Sequence, residues 1–158
     1  FNPAESEHVL KIILPALDRL GKRAVVNGLA TTLPTPNSVC VVNNIPHTWL
    51  FPRVAAVCHH GGAGTSAEGF RAGVPGVILP FALDQYAWAQ RAYELGVGSR
   101  PVPYKQLTVQ KLADAIAFAC QDSIVKNAVA LSQKIASENG ALACANVIAA
   151  LESGDHKL

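Results

Sequence analysis

A chain of 158 residues, half of them hydrophobic and 15% charged, is the size of one ordinary domain and can bury a core, which excludes a disordered chain. The net charge of +2, with no Lys/Arg run longer than Lys22-Arg23, argues against nucleic acid or an anionic membrane surface as partner. No apolar run reaches the roughly 18 residues of a membrane span, and the start at Phe1-Asn2-Pro3-Ala4-Glu5 lacks the basic and apolar regions of a secretion signal.

Apolar residues recur at helical spacing from Glu5 to Leu20 (Val9, Ile12, Ile13, Leu17, Leu20), and Gly21 follows as a stop. Pro15 is expected to kink or split this helix. Arg23 to Asn27 and Val39 to Val42 read as short strands separated by a Pro/Thr/Asn-rich loop. Ala55 to His59 is a third strand and Gly76 to Leu79 a fourth, with a helix from Gly64 to Ala72 between them. A helix from Gln85 to Leu95 and a short strand over Val97 to Arg100 follow. After Thr108 the pattern is helical: Val109 to Cys120, Ile124 to Ser137 and Ala141 to Leu151, broken at Asp122-Ser123 and Asn139-Gly140. Short apolar strands alternating with helices predict an α/β, doubly wound, mostly parallel sheet with a C-terminal helical tail. Cys40 and Cys58 fall in strand-like runs, Cys120 and Cys144 in helix-like ones, at spacings that fit neither a zinc site nor a redox pair. The expectation is reduced thiols packed as small hydrophobes in a cytosolic protein.

The most informative stretch is Cys58-His59-His60-Gly61-Gly62-Ala63-Gly64-Thr65-Ser66-Ala67-Glu68, where a strand runs into three glycines and a helix starts at once. Glycine lets the backbone turn sharply and lets a ligand reach the main chain. The helix start adds unpaired N–H groups and the positive end of its dipole, so the loop suits a diphosphate. The alternative is a tight turn with no ligand. Neighbouring strand residues diverge, so His60 is assigned to the phosphate side and His59 to a packed or hydrogen-bonded core position, and a metal site from Cys58, His59 and His60 is not expected. Glu68 has two readings: the closing carboxylate of a Thr65-x-x-Glu68 capping box, or a ribose-diol acceptor. Asp84 and Gln85 follow the next strand and share its rim. A carboxylate beside an amide suits sugar hydroxyls, and the alternative for Asp84 is a plain N-cap. Gly62-Ala63-Gly64-Thr65-Ser66-Ala67 also satisfies G-x-G-x-x-A, with Asp84 20 residues after Gly64, as a dinucleotide fingerprint requires. That fingerprint belongs to a first βαβ unit, however, whereas two strands precede it here, and Pro80 to Leu83 separate Asp84 from its strand.

With these segments in order, the chain resembles the C-terminal, donor-binding domain of GT-B-fold UDP-glycosyltransferases, and within them the sterol and lipid glucosyltransferase branch. The resemblance runs from Asn44-Ile45-Pro46-His47-Thr48-Trp49-Leu50-Phe51-Pro52 through the histidine–glycine loop, Arg71-Ala72-Gly73-Val74-Pro75, Pro80-Phe81 and Asp84-Gln85 to Leu95-Gly96-Val97-Gly98. It implies that His60, Gly62, Gly64 and Thr65 contact the donor diphosphate and Glu68 the ribose. Asp84 and Gln85 would take the sugar, with glucose expected, and the Ile45 backbone and His47 side chain would border the uracil. The alternative for Ile45-Pro46-His47 is an ordinary proline turn leading into a short amphipathic helix with Trp49, Leu50 and Phe51 as core, and Trp88 is read as packing, with a sugar contact as its alternative. It also implies inverting transfer to a lipid, sterol or other small hydrophobic acceptor, with the catalytic base on an N-terminal acceptor-binding domain absent from these 158 residues.

No D-x-D pair is present, so a metal-independent site without a cofactor beyond the UDP-sugar donor is expected. The relatives carry a central strand just before this point, so an open strand edge and a homodimer or exchanged strand are expected. The chain is read as one nucleotide-sugar-binding domain over residues 1–158, cytoplasmic, with membrane association left to the missing domain. A stand-alone donor subunit paired with a separate acceptor subunit, and a non-catalytic nucleotide-sugar-binding module, remain as alternatives.

Overall fold

The computed structural model describes residues 3–29 and 34–152. Part of the Pro/Thr/Asn-rich loop lies outside them. The order is α1 (Pro3–Leu20), β1 (Ala24–Asn27), β2 (Val39–Val42), α2 (His47–Leu50) with a 3₁₀ turn at Phe51–Arg53, β3 (Val57–His59), α3 (Ala63–Ala72), β4 (Gly76–Ile78), α4 (Gln85–Glu94), α5 (Val109–Ala119), α6 (Asp122–Ala136) and α7 (Gly140–Glu152). The α/β architecture expected from the pattern is the one formed. β1 pairs with β2 in parallel, Ala24 opposite Val39, and β3 pairs with β4 in parallel, Val57 opposite Gly76. Among the described residues the two pairs are not joined by hydrogen bonds.

Adjacent strand residues point to opposite faces, and β4 uses both. Val77 enters a core with Ala16 of α1 and Leu112, Ala113, Ala115 and Ala119 of α5. Ile78 enters another with Ala89 and Ala92 of α4, Val97 and Ala128 of α6, flanked by Phe70 of α3. Helices therefore cover both faces of β4, whose three residues are all buried, whereas β3 alternates a buried Val57 with an exposed Cys58. α1 also packs Val9 and Leu10 against Leu29 and Val26, so one helix covers part of each strand pair.

Several boundaries differ from the expectation for physical reasons. α1 runs unbroken through Pro15, whose side is exposed, so water can serve the carbonyl that loses its partner. The strand expected over Val97 to Arg100 shrinks to a parallel bridge between Gly98 and Gly76. Pro101 and Pro103 follow and supply no N–H for a longer ladder. A Cβ at Gly98 would lie 2.6 Å from the Gly76 carbonyl oxygen, so the bridge needs glycine.

The cysteines are free, but they are not packed as small core residues: Cys40, Cys58 and Cys144 are exposed and only Cys120 is half-buried.

Candidate functional site

β3 and β4 end side by side, and the loops after them meet. After β3 the chain turns at Gly61, which holds φ +96; a Cβ there would lie 2.7 Å from Ile78 Cγ2 and 3.1 Å from the Gln85 carbonyl oxygen. The glycine loop thus lies directly against the start of α4, and no side chain fits at its turn. The Gly61 N–H donates to His59 Nδ1 at 3.1 Å. His59 is half-buried, and its pKa is lowered to about 4 by burial first, then by the neighbouring His60 and His47. It is therefore a neutral imidazole with its proton on Nε2, acting as the acceptor that fixes the turn.

Gly62 is the N-cap of α3, extended at φ −60 and ψ 141, with no side-chain cap bond. The first helical bond is Ser66 N–H to the Gly62 carbonyl at 2.9 Å. The amides of Ala63, Gly64 and Thr65 precede it and have no partner inside the helix. A Cβ at Gly62 would lie 2.7 Å from His60 Nε2, so the His60 imidazole lies against the Gly62 backbone. His60, Ala63 and Gly64 are exposed, and nothing stands within 4 Å of where a Gly64 Cβ would be. The helix start is open to solvent, with an imidazole beside it.

Asp84 sits at the N-cap position of α4, yet its side chain makes no cap bond. Instead its Oδ2 accepts from the Trp88 indole Nε1–H at 3.2 Å. Gln85 folds back, its Oε1 accepting from the amides of Phe81 at 2.8 Å and Ala82 at 3.2 Å. Its carbonyl therefore pins the loop carrying Asp84, and the Nε2 amide group is uncommitted among the described residues. The capping-box reading of Thr65 to Glu68 does not hold, because α3 starts at Ala63 and Glu68 pairs instead with Arg71 at 2.7 Å, one turn along.

On the other flank His47 stacks on Phe51, ring centroids 4.5 Å apart, close enough to His59 to act on it electrostatically. Phe51 is buried and Leu50 packs against it. Trp49, expected in the core, is 53% exposed and lies under the Arg53 guanidinium at 4.6 Å. Ile45 and His47 are half-buried beside these elements. The Asp84–Trp88 bond was missed in the sequence, although i, i+4 spacing allows it. Among the described residues no group of His, Cys, Asp and Glu has the geometry of a metal site, and no helix is long and apolar enough to cross a membrane.

Residues 20–152 match the family model described as "Erythromycin biosynthesis protein CIII-like, C-terminal domain". The chain belongs to this glycosyltransferase family. Its relatives include a sterol 3-beta-glucosyltransferase of Arabidopsis thaliana, 40% identical over 140 residues, covering 86% of this chain and 22% of that protein. Another is a sterol 3-beta-glucosyltransferase of Saccharomyces cerevisiae, 41% identical over 124 residues, covering 78% of this chain and 10% of that one. The glycotransferase of kitacinnamycin superposes with a TM-score of 0.75 at 23% identity, over 87% of this chain and 37% of its own. The calicheamicin glycosyltransferase does so at 0.72 and 25%, over 90% and 40%. This C-terminal domain thus spans less than a quarter of its curated sterol glucosyltransferase relatives, and its GT-B fold is that of the solved glycosyltransferases.

Proposed function

We propose that this domain binds a UDP-sugar, with glucose as the sugar, for inverting transfer to a sterol or other small hydrophobic acceptor held by another part of the enzyme. The observation that carries the reading is the contact between Gly61 and Gln85, which places the uncapped start of α3 beside Asp84. His60, Gly62, Gly64 and Thr65 take the diphosphate, Asp84 and the Gln85 amide the hexose, Glu68 the ribose, and Ile45 and His47 the uracil. The relatives named as sterol 3-beta-glucosyltransferases support glucose and a sterol-like acceptor.

In this reading the acceptor hydroxyl attacks the anomeric carbon and UDP departs. Negative charge grows on the diphosphate, and the fixed amides of Ala63, Gly64 and Thr65, with His60, oppose it without reorganising. These donors do the work of a clamp, so the proposal needs no metal. Association of two copies through the edge of β3 that is unpaired among the described residues belongs to the same proposal.

Isothermal titration tests it directly. Saturable heat with UDP, tighter binding of UDP-glucose and no response to NAD are expected. Binding of NAD without binding of UDP would transfer the loop to the dinucleotide alternative.

A further inference from the structure

Asp84 is an exposed carboxylate on a short side chain, and left to itself it would sample several rotamers. Two neighbours restrain it, one at the side chain and one through the backbone before it. The Trp88 indole Nε1–H takes its Oδ2 at 3.2 Å, one helical turn along. Gln85 pins the preceding loop through the Phe81 and Ala82 amides. Trp88 is itself held, its ring tilted 48° against Phe70 with centroids 6.5 Å apart. Phe70 lies on α3, the helix whose start faces the diphosphate, and packs into the core with Ile78, Ala89 and Ala92.

We propose that Trp88 is a positioning residue for hexose recognition, its indole N–H holding one oxygen of Asp84 so that the other is presented to a sugar hydroxyl. The inference rests on the donor-site reading above. An indole is a donor only, so it can occupy a carboxylate oxygen without competing for the hydroxyl proton that the free oxygen accepts. Because Phe70 ties the ring to α3, the distance between the diphosphate half and the hexose half of the site is set by a packed contact. A group held in its bound geometry beforehand loses less freedom when the ligand arrives.

The test compares UDP with UDP-glucose on the wild-type chain and on Trp88→Phe, which keeps a ring against Phe70 and removes the N–H. Trp88→Phe is expected to weaken UDP-glucose by about 3- to 10-fold, the span of one net hydrogen bond, and to leave UDP unchanged. A purely packing role would weaken both ligands together or neither, and either result overturns the proposal. The wild-type Trp88 indole N–H resonance supplies a second readout that does not depend on the variant folding. It should move with UDP-glucose and not with UDP, and it should shift in the free Asp84→Ala protein; an indole signal indifferent to the sugar and to Asp84 overturns the inference. A wild-type chain that ignores UDP sinks the donor site and this inference with it, whereas intact UDP binding with an undiminished glucose increment in Trp88→Phe sinks this inference alone.

Discussion

Leu83 holds φ 56 with its side chain 89% exposed, immediately before Asp84. A left-handed conformation costs an ordinary residue about 1–2 kcal/mol, and an exposed leucine recovers nothing by packing. Glycine would relieve the strain but adds about 1 kcal/mol of unfolded-chain entropy. Asparagine tolerates the conformation without that cost, so Leu83→Asn is expected to gain roughly 0.5–1 kcal/mol. A higher urea midpoint at unchanged slope is the readout. His59 carries a second prediction. Its folded pKa lies near 4 against an ordinary 6.5, so above pH 6.5 both folded and unfolded chains keep it neutral. As the pH falls toward 4 only the unfolded chain takes up the proton, and stability declines by about 2–3 kcal/mol at most. His59→Asn, which keeps an acceptor near Gly61, should lose that pH slope in denaturation series from pH 7 to 4.5. The three glycines after His60 marked the loop in the sequence, but which of them makes the turn was not legible. Gly61 takes the positive φ while Gly62 stays extended, a choice set by Ile78 and Gln85, which are distant in the chain.

At the scale of elements, helices were legible to within a residue or two because apolar spacing and caps are local. Thr108 illustrates this, its Oγ1 accepting the Lys111 amide at 3.2 Å to open α5. Strand pairing was less legible. β3 and β4 have three residues each, and their partners are chosen by packing rather than by their own composition. The capping-box reading failed for a related reason: Thr65 and Glu68 have the right spacing, but Gly62 starts the helix early and leaves Arg71 within reach of Glu68. α7 poses the opposite problem. Its pattern predicts a helix, and one forms, yet Leu142, Val147, Ile148 and Leu151 are each more than half exposed. A 13-residue helix whose large apolar side chains stay mostly exposed is marginal in water. Removing residues 140–158 is therefore expected to lower the helical circular dichroism while moving the main thermal midpoint by no more than about 2 °C. A larger fall would mean that the apolar face of α7 packs and stabilises the domain.

For the whole molecule, the donor half of a transfer reaction and the acceptor half make different demands. The rim after β3 and β4 gathers groups suited to an anion and to hydroxyls: open amides, His60, the Asp84 carboxylate and the Gln85 amide. In the proposed reading these bind the donor and oppose the charge growing on the leaving diphosphate. Attack also requires a base on the acceptor hydroxyl, worth about 10²–10⁴ in rate, and a surface that holds the acceptor in line, worth more again. His60 lies against the Gly62 backbone beside the α3 start, which the proposed reading makes the leaving-group side, where a base for the incoming hydroxyl would be misplaced. His59 is neutral, but its Nδ1 is occupied by the Gly61 amide. His47 is stacked on Phe51, at the flank that the proposed reading gives to the uracil. The three histidines of the rim are thus committed to other places. The 158-residue chain, given UDP-glucose and a sterol, is expected to bind the donor and form no sterol glucoside above the enzyme-free blank. Joining it to an acceptor-binding domain should restore transfer. Sterol glucoside from the isolated chain would mean that one of these histidines, or a second copy of the domain, supplies the base.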